Sequence, residues 1–219
     1  MTTDPEPSKG ERTQAAILEA ARALFLAQGY TATSMRQIAQ AVGITPAAIY
    51  NHFSGKEEIF TTLLHRAAPT EQLAALFDSA SGDTVETVLP PMVRGIVELI
   101  TSHEEYVRLA MLDAQERDGA ALLTLLPRLF PHAMAFYQRL VALDRAEGRL
   151  RDLSPFVFMR TLISFTFGYL ITEHVVHPAT TFNLPDEDWV QGLVDIFLHG
   201  VLKPPLREEG SSNGRDGTS

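Results

Sequence analysis

The 219-residue chain contains no cysteine, which rules out a disulfide framework, a thiolate zinc site and a cysteine nucleophile, and an intracellular, cytoplasmic setting is expected. Positive charge is scarce: 18 lysines and arginines stand against 27 acids, a formal net charge of −9. Such a balance does not suit a protein that coats nucleic acid at large. Long apolar runs are also missing. The most apolar stretch, Pro155 to Val176, is interrupted by Arg160, Glu173 and His174, too short and too charged for a membrane span, so no membrane partner is expected. Glycine-rich phosphate loops are absent, and His103, His132, His174, His177 and His199 fall in no nucleophile elbow or H-E-x-x-H pattern, so no catalytic residue and no cofactor are expected. The one metal-like spacing, His174 with His177 on one helix face, supplies two ligands where a zinc site needs more. The first nine residues lack an apolar segment of the secretory kind and read as a flexible arm.

What the chain does have is a run of helix punctuation between Thr33 and Phe60. Ser34 followed by Gln37 is a capping box that starts a helix at Met35. Met35, Ile38, Ala39 and Val42 repeat at helical spacing, and Gly43 stands where a left-handed C-terminal residue is wanted. Thr45 is a new N-cap, with Pro46 at the first helical position, where a missing N–H and a fixed φ cost nothing. Two helices joined this tightly cross steeply. The second, from Pro46 to about His52, leads with Pro46, Ala47 and Ala48, small enough for its N-terminus to enter a major groove. Ser54 and Glu57 suggest another capping box, opening a helix to about Arg66. The spacing assigns Ile38, Ala39, Val42, Ile44, Ile49 and Phe53 to the core.

These residues, together with Ile17 to Phe25, Gly29-Tyr30 and the following helix to about Leu64, resemble the DNA-binding domain of the TetR family of bacterial transcriptional repressors. The shared pattern is an aliphatic-alanine helix, a Gly-Tyr turn, a Thr-Ser cap, Val-Gly-Ile-Thr, Ile-Tyr-x-His-Phe and Lys-Glu-x-Ile. Pro46 departs from it where glycine, lysine or arginine is common, which bears on the bases read. The resemblance implies that Tyr50, His52 and Lys56 lie along phosphates. Helix-start amides add neutral donors, giving Thr33, Ser34 and Thr45 a reason to be small hydroxyl residues. Asn51 and Ala47 share the groove-facing end. Two roles are open to Arg36, a base contact or a phosphate contact. From Lys9 to Arg66 six lysines and arginines face four glutamates, a local net of +2, so the acidity belongs to the rest of the chain.

Beyond residue 67 the pattern stays helical, with segments at about 70–80, 84–101, 104–116, 120–147, 155–177 and 186–201 and a restart near Pro127 or Pro131. The expected class is all-α: a flexible arm (1–9), a three-helix helix-turn-helix domain (10–66), a helical ligand-binding and dimerisation domain (67–203) and a disordered tail (204–219). The helix from Pro155 is apolar nearly all round and must be buried on most sides. Its large stripe, Phe158, Leu162, Phe165 and Tyr169, suits an interior or a cavity, faced by Met111, Met134 and Tyr137 with His103 and Arg108 as polar anchors. Its small stripe, Thr161, Ser164 and Gly168, suits a close helix crossing. Trp189, Leu193, Ile196 and Phe197 add apolar surface on the last helix. By resemblance, these last two helices pair with their copies in a four-helix dimer bundle; packing within one chain is the alternative. The expected partners are double-stranded operator DNA, a second copy of the chain and a small, mainly apolar effector. A helical ligand- or partner-binding protein without DNA, and a regulator without a ligand, are the competing readings.

Overall fold

The computed structural model describes residues 8–145, 148–172 and 186–202. Among them are eleven helices and no strand: α1 (Lys9–Gln28), α2 (Met35–Val42), α3 (Pro46–Ile49), α4 (Lys56–Ala67), α5 (Thr70–Ser79), α6 (Val85–Thr101), α7 (Glu104–Glu116), α8 (Ala120–Leu123), α9 (Leu126–Leu143), α10 (Pro155–Ile171) and α11 (Asp186–Val201). The tail after residue 203, most of the arm, and His174 with His177 lie outside the described residues.

Local chemistry sets most helix ends. Ser34 accepts from the Gln37 amide while the Gln37 side chain takes the Ser34 N–H, the reciprocal box expected. Gly43 follows with φ 75°, left-handed, as expected. Thr45 Oγ1 accepts from Ala48 N at 3.2 Å ahead of Pro46. Two start signals differ. Ser8 forms a capping box with Glu11, so Ser8 and Lys9 belong to α1 and not to an arm. The Ser54 amide and hydroxyl bond Glu58, not Glu57, leaving Gly55 as the α4 N-cap without a side-chain bond. Glu57 is thereby free to reach Arg117 at 3.2 Å.

The helix expected over 120–147 is broken into α8 and α9 just before Pro127, whose ring fits a first turn. Pro131 sits inside α9, and Pro90 and Pro91 inside α6, where the surrounding helices hold the chain despite lost backbone bonds.

Two apolar cores result. One joins α5, α6, α9, α10 and α11 through residues such as Phe77, Leu89, Phe136, Phe158 and Phe197. The other is built from α1 to α4 around Ile17, Phe25, Ile38, Ile49 and Phe60, and it continues into Leu109 and Ala110 of α7 and Ala121 and Leu125 of the α8 region. The division expected at residue 66 therefore does not divide the packing: α7 shares its apolar surface with the N-terminal helices. Burial of this kind, at about 25 cal/mol per Å² of apolar surface, is what holds short helices such as α2 and α3 in place.

Candidate nucleic-acid interface

The helix-turn-helix presents Arg36, Thr45, Pro46, Ala47, Tyr50 and Asn51 outward, with His52 half-buried beside them. No aspartate or glutamate occurs from Thr31 to Ser54, so this face carries none of the chain's acid excess. α3 is a single helical turn, prolonged by amide bonds from Asn51 to Ala48 O and from His52 to Ile49 O. Ile49, fully buried, and Phe53 anchor it from behind. Tyr50 is 56% exposed and its hydroxyl is placed for solvent or phosphate, not for the core. Ser34 is exposed and occupied with its cap.

Two expected phosphate residues point elsewhere. Thr33 is only 2% exposed; its hydroxyl donates to Gly29 O and accepts from Gln28. It pins the α1–α2 turn. The Lys56 ammonium donates to Tyr30 O at 2.7 Å and Thr33 O at 2.8 Å and lies 4.2 Å from the Tyr30 ring centroid. Burial lowers its pKa, opposed by Glu116 and reinforced by Arg117, and the two carbonyls compensate the desolvated charge. Replacing Lys56 with methionine is therefore expected to cost about 1.5–3 kcal/mol of stability, the worth of hydrogen bonds to a charged group. The slope of operator affinity against salt should change by less than about one unit. Denaturant unfolding and salt titration of the variant measure the two.

The same turn is gripped from α7. Glu116 accepts from the Thr31 amide at 2.6 Å, and this backbone bond, ahead of the others it makes, lowers its pKa. A carboxylate with a lowered folded-state pKa stabilises above its ordinary titration range and loses that contribution as pH falls through it. Gly29, at φ +89°, makes room: a Cβ there would lie 2.6 Å from Glu116 Oε1. The Arg117 guanidinium stacks over the rings of Tyr30 and Phe60 at 4.8 and 4.7 Å and bonds Glu57 and Asp113. Asp113, fully buried, also accepts from the Ala121 and Leu122 amides. None of these three α7 residues was singled out from sequence. A signal existed: Glu116 puts a negative charge at a helix C-terminus, where the dipole disfavours it, and so asks for a partner.

Between α7, α9 and α10 lies a cavity of about 280 Å³. Met111 and Leu162 line it as expected, but the other expected lining residues do not. Phe158 is fully buried, with ring contacts to Tyr137 and Phe197, and Phe165 packs edge-on to Phe197. Tyr137 donates its hydroxyl to Leu153 O. Met134 and Tyr169 are half-buried away from the cavity wall, His103 bonds Leu99 O, and Arg108 is exposed beside Glu104. The helix turns Met159, Ile163, Thr166 and Phe167 to the cavity instead, because a helix apolar all round carries no phase in its sequence.

Of the residues expected to meet a second copy, Ser164, Gly168, Trp189 and Ile196 are exposed, while Thr161 and Leu193 are half-buried. Phe197 is 1% exposed and belongs to the chain's own core, a correction: its ring is held between Phe158 and Phe165. A Cβ built on Gly168 or Gly192 meets no atom within 4 Å.

Among the described residues no group of three or more metal-binding side chains occurs and no helix is long and apolar enough to cross a membrane. Residues 17–63 match the family described as "Bacterial regulatory proteins, tetR family". The transcriptional regulator TcmR of Streptomyces glaucescens is 32% identical over 145 residues, which span 65% of this chain and 58% of that protein. The transcriptional repressor NicS of Pseudomonas putida is 25% identical over 208 residues, 92% of this chain and 98% of that one. Among solved structures, NalD, the secondary repressor of the MexAB-OprM multidrug efflux pump in Pseudomonas aeruginosa, superposes with a TM-score of 0.65 at 25% identity, covering 89% of this chain and 99% of its own. An outward, acid-free α3 on a capped α2, seen together with full-length relatives that are transcriptional repressors, leads to one conclusion: the chain carries the DNA-binding domain of the TetR family of bacterial transcriptional regulators.

Proposed function

We propose that the protein is a homodimeric repressor that holds a palindromic operator and leaves it when a small, mainly apolar effector fills the α7–α9–α10 cavity. The observation that carries the DNA part is the α3 face: Pro46, Ala47, Tyr50 and Asn51 are outward and fixed from behind by a buried Ile49. One such face reads a short half-site. A second copy, its α3 about 34–36 Å away, supplies the other. Selection of bound DNA from a random pool is the test; a symmetric site with half-sites one helical turn apart is expected, and enrichment of an asymmetric site or of none overturns the reading.

Dimerisation is supported by the exposed apolar and small residues of α10 and α11, Ser164, Gly168, Trp189 and Ile196. Gly168→Leu would push a partner helix away. Overpacking costs about 1–3 kcal/mol, and two-fold symmetry repeats it. The dimer dissociation constant should rise at least about tenfold, with a parallel loss of operator affinity. Sedimentation that shows an unchanged dimer would return this stripe to the surface of a single chain.

α7 is the physical link between effector and DNA. Tyr106, Val107, Ala110 and Met111 face the cavity, while Asp113, Glu116 and Arg117 at the other end hold the Tyr30–Thr31 turn. An effector releases DNA only by favouring an arrangement of α7 that the operator-bound dimer disfavours.

A further inference from the structure

Resting on the effector reading above, we propose that the ligand is an uncharged, predominantly hydrocarbon molecule of about the size of two fused rings, which makes one hydrogen bond, to the hydroxyl of Tyr106. Chemistry of the wall carries this. Among the described residues the cavity is lined by leucine, isoleucine, valine, alanine, methionine and phenylalanine, with Tyr106 and Thr166 as the exceptions. No carboxylate faces it to neutralise a cation, and no lysine, arginine or histidine faces it to neutralise an anion. A buried ion without a partner is strongly disfavoured. The Thr166 hydroxyl already donates to Leu162 O at 3.0 Å. Tyr106 remains as donor.

Its position is particular. Tyr106 lines the cavity and also a wide groove in which Glu19, Arg22, Arg66 and His103 stand. It is shared between a charged groove and a hydrocarbon cavity. Burial, and then Asp113, raises its pKa, so the hydroxyl stays protonated at neutral pH. Exposed apolar side chains belong to the wall as well: Phe130 stacks on Phe156 with centroids 6.1 Å apart, and Ile163 is 54% exposed. Size sets the other limit. An apolar cavity of about 150 Å³ holds benzene, so about 280 Å³ holds roughly ten to fourteen non-hydrogen atoms.

Naphthalene, naphthol, naphthoate and naphthylmethylammonium form a matched set, titrated into the full chain at neutral pH by calorimetry. The neutral pair should bind at least about 100-fold more tightly than either ion, and naphthol about 5–10-fold more tightly than naphthalene. Tyr106→Phe should erase the second difference and keep naphthalene binding. Met111→Glu should make the ammonium the preferred member, a gain of binding that also serves if the tyrosine variant does not fold. An ion that binds as well as naphthalene, no binding by any member, a naphthol advantage that survives Tyr106→Phe, or an unchanged preference in Met111→Glu each overturns the proposal. Operator release is read separately: neutral members that bind without releasing DNA would sink the effector reading and leave the ligand class standing.

Discussion

Ala47→Glu is expected to weaken operator binding by at least about 100-fold, while the unfolding free energy stays within about 0.5 kcal/mol of the parent. Ala47 is exposed at the leading edge of α3, so a longer side chain disturbs no packing. A glutamate there is carried into a groove walled by phosphates, where like charge costs several kcal/mol. The parent face has no acid from Thr31 to Ser54, so the substitution introduces a sign the site does not contain. Electrophoretic shift with the selected operator measures the affinity, and circular dichroism confirms the fold. Operator affinity retained in the variant would remove the start of α3 from the interface.

Asp113→Ala should produce the largest loss of stability, about 3–5 kcal/mol. The carboxylate is fully buried and accepts from Arg117 Nη1 at 3.1 Å, Ala121 N at 3.2 Å and Leu122 N at 2.9 Å. Removing it strands a guanidinium whose side chain is only 5% exposed and two amides at the start of α8. Against a total stability of about 5–15 kcal/mol, such a loss populates the unfolded state measurably. Asp113→Asn keeps one acceptor oxygen and should fall between the two. Urea unfolding with an unchanged m-value reads the cost; a loss below about 1 kcal/mol would mean that the aromatic stacking of Arg117 holds the junction alone. Because the same arginine rests on Tyr30, operator affinity should drop in the folded fraction as well.

The DNA-binding helices were legible because their signals are local. Ser34 with Gln37, Gly43, and Thr45 with Pro46 each act within one helical turn, and each makes the bond its spacing implies. The outward placement of Ala47 and Tyr50 follows from Ile49 and Phe53 facing in, a periodicity that sequence carries. Lys56 reads otherwise for the opposite reason: its ammonium is claimed by the α1–α2 turn, whose two accepting carbonyls lie 23 and 26 residues away, and no local pattern reports a long-range acceptor. Thr33 bonds near neighbours, Gly29 O and Gln28, and what its spacing did not show is its burial.

The sequence by itself therefore determined the all-helical class, the helix-turn-helix and the surface it turns outward, since capping and periodicity are short-range. Only the tertiary structure decided which side of α10 faces a cavity, that Phe197 is core, and that α7 packs with the N-terminal helices. A helix apolar on every side has no preferred face of its own. Its neighbours choose the face by what fits, and they do so through contacts between residues far apart in the chain.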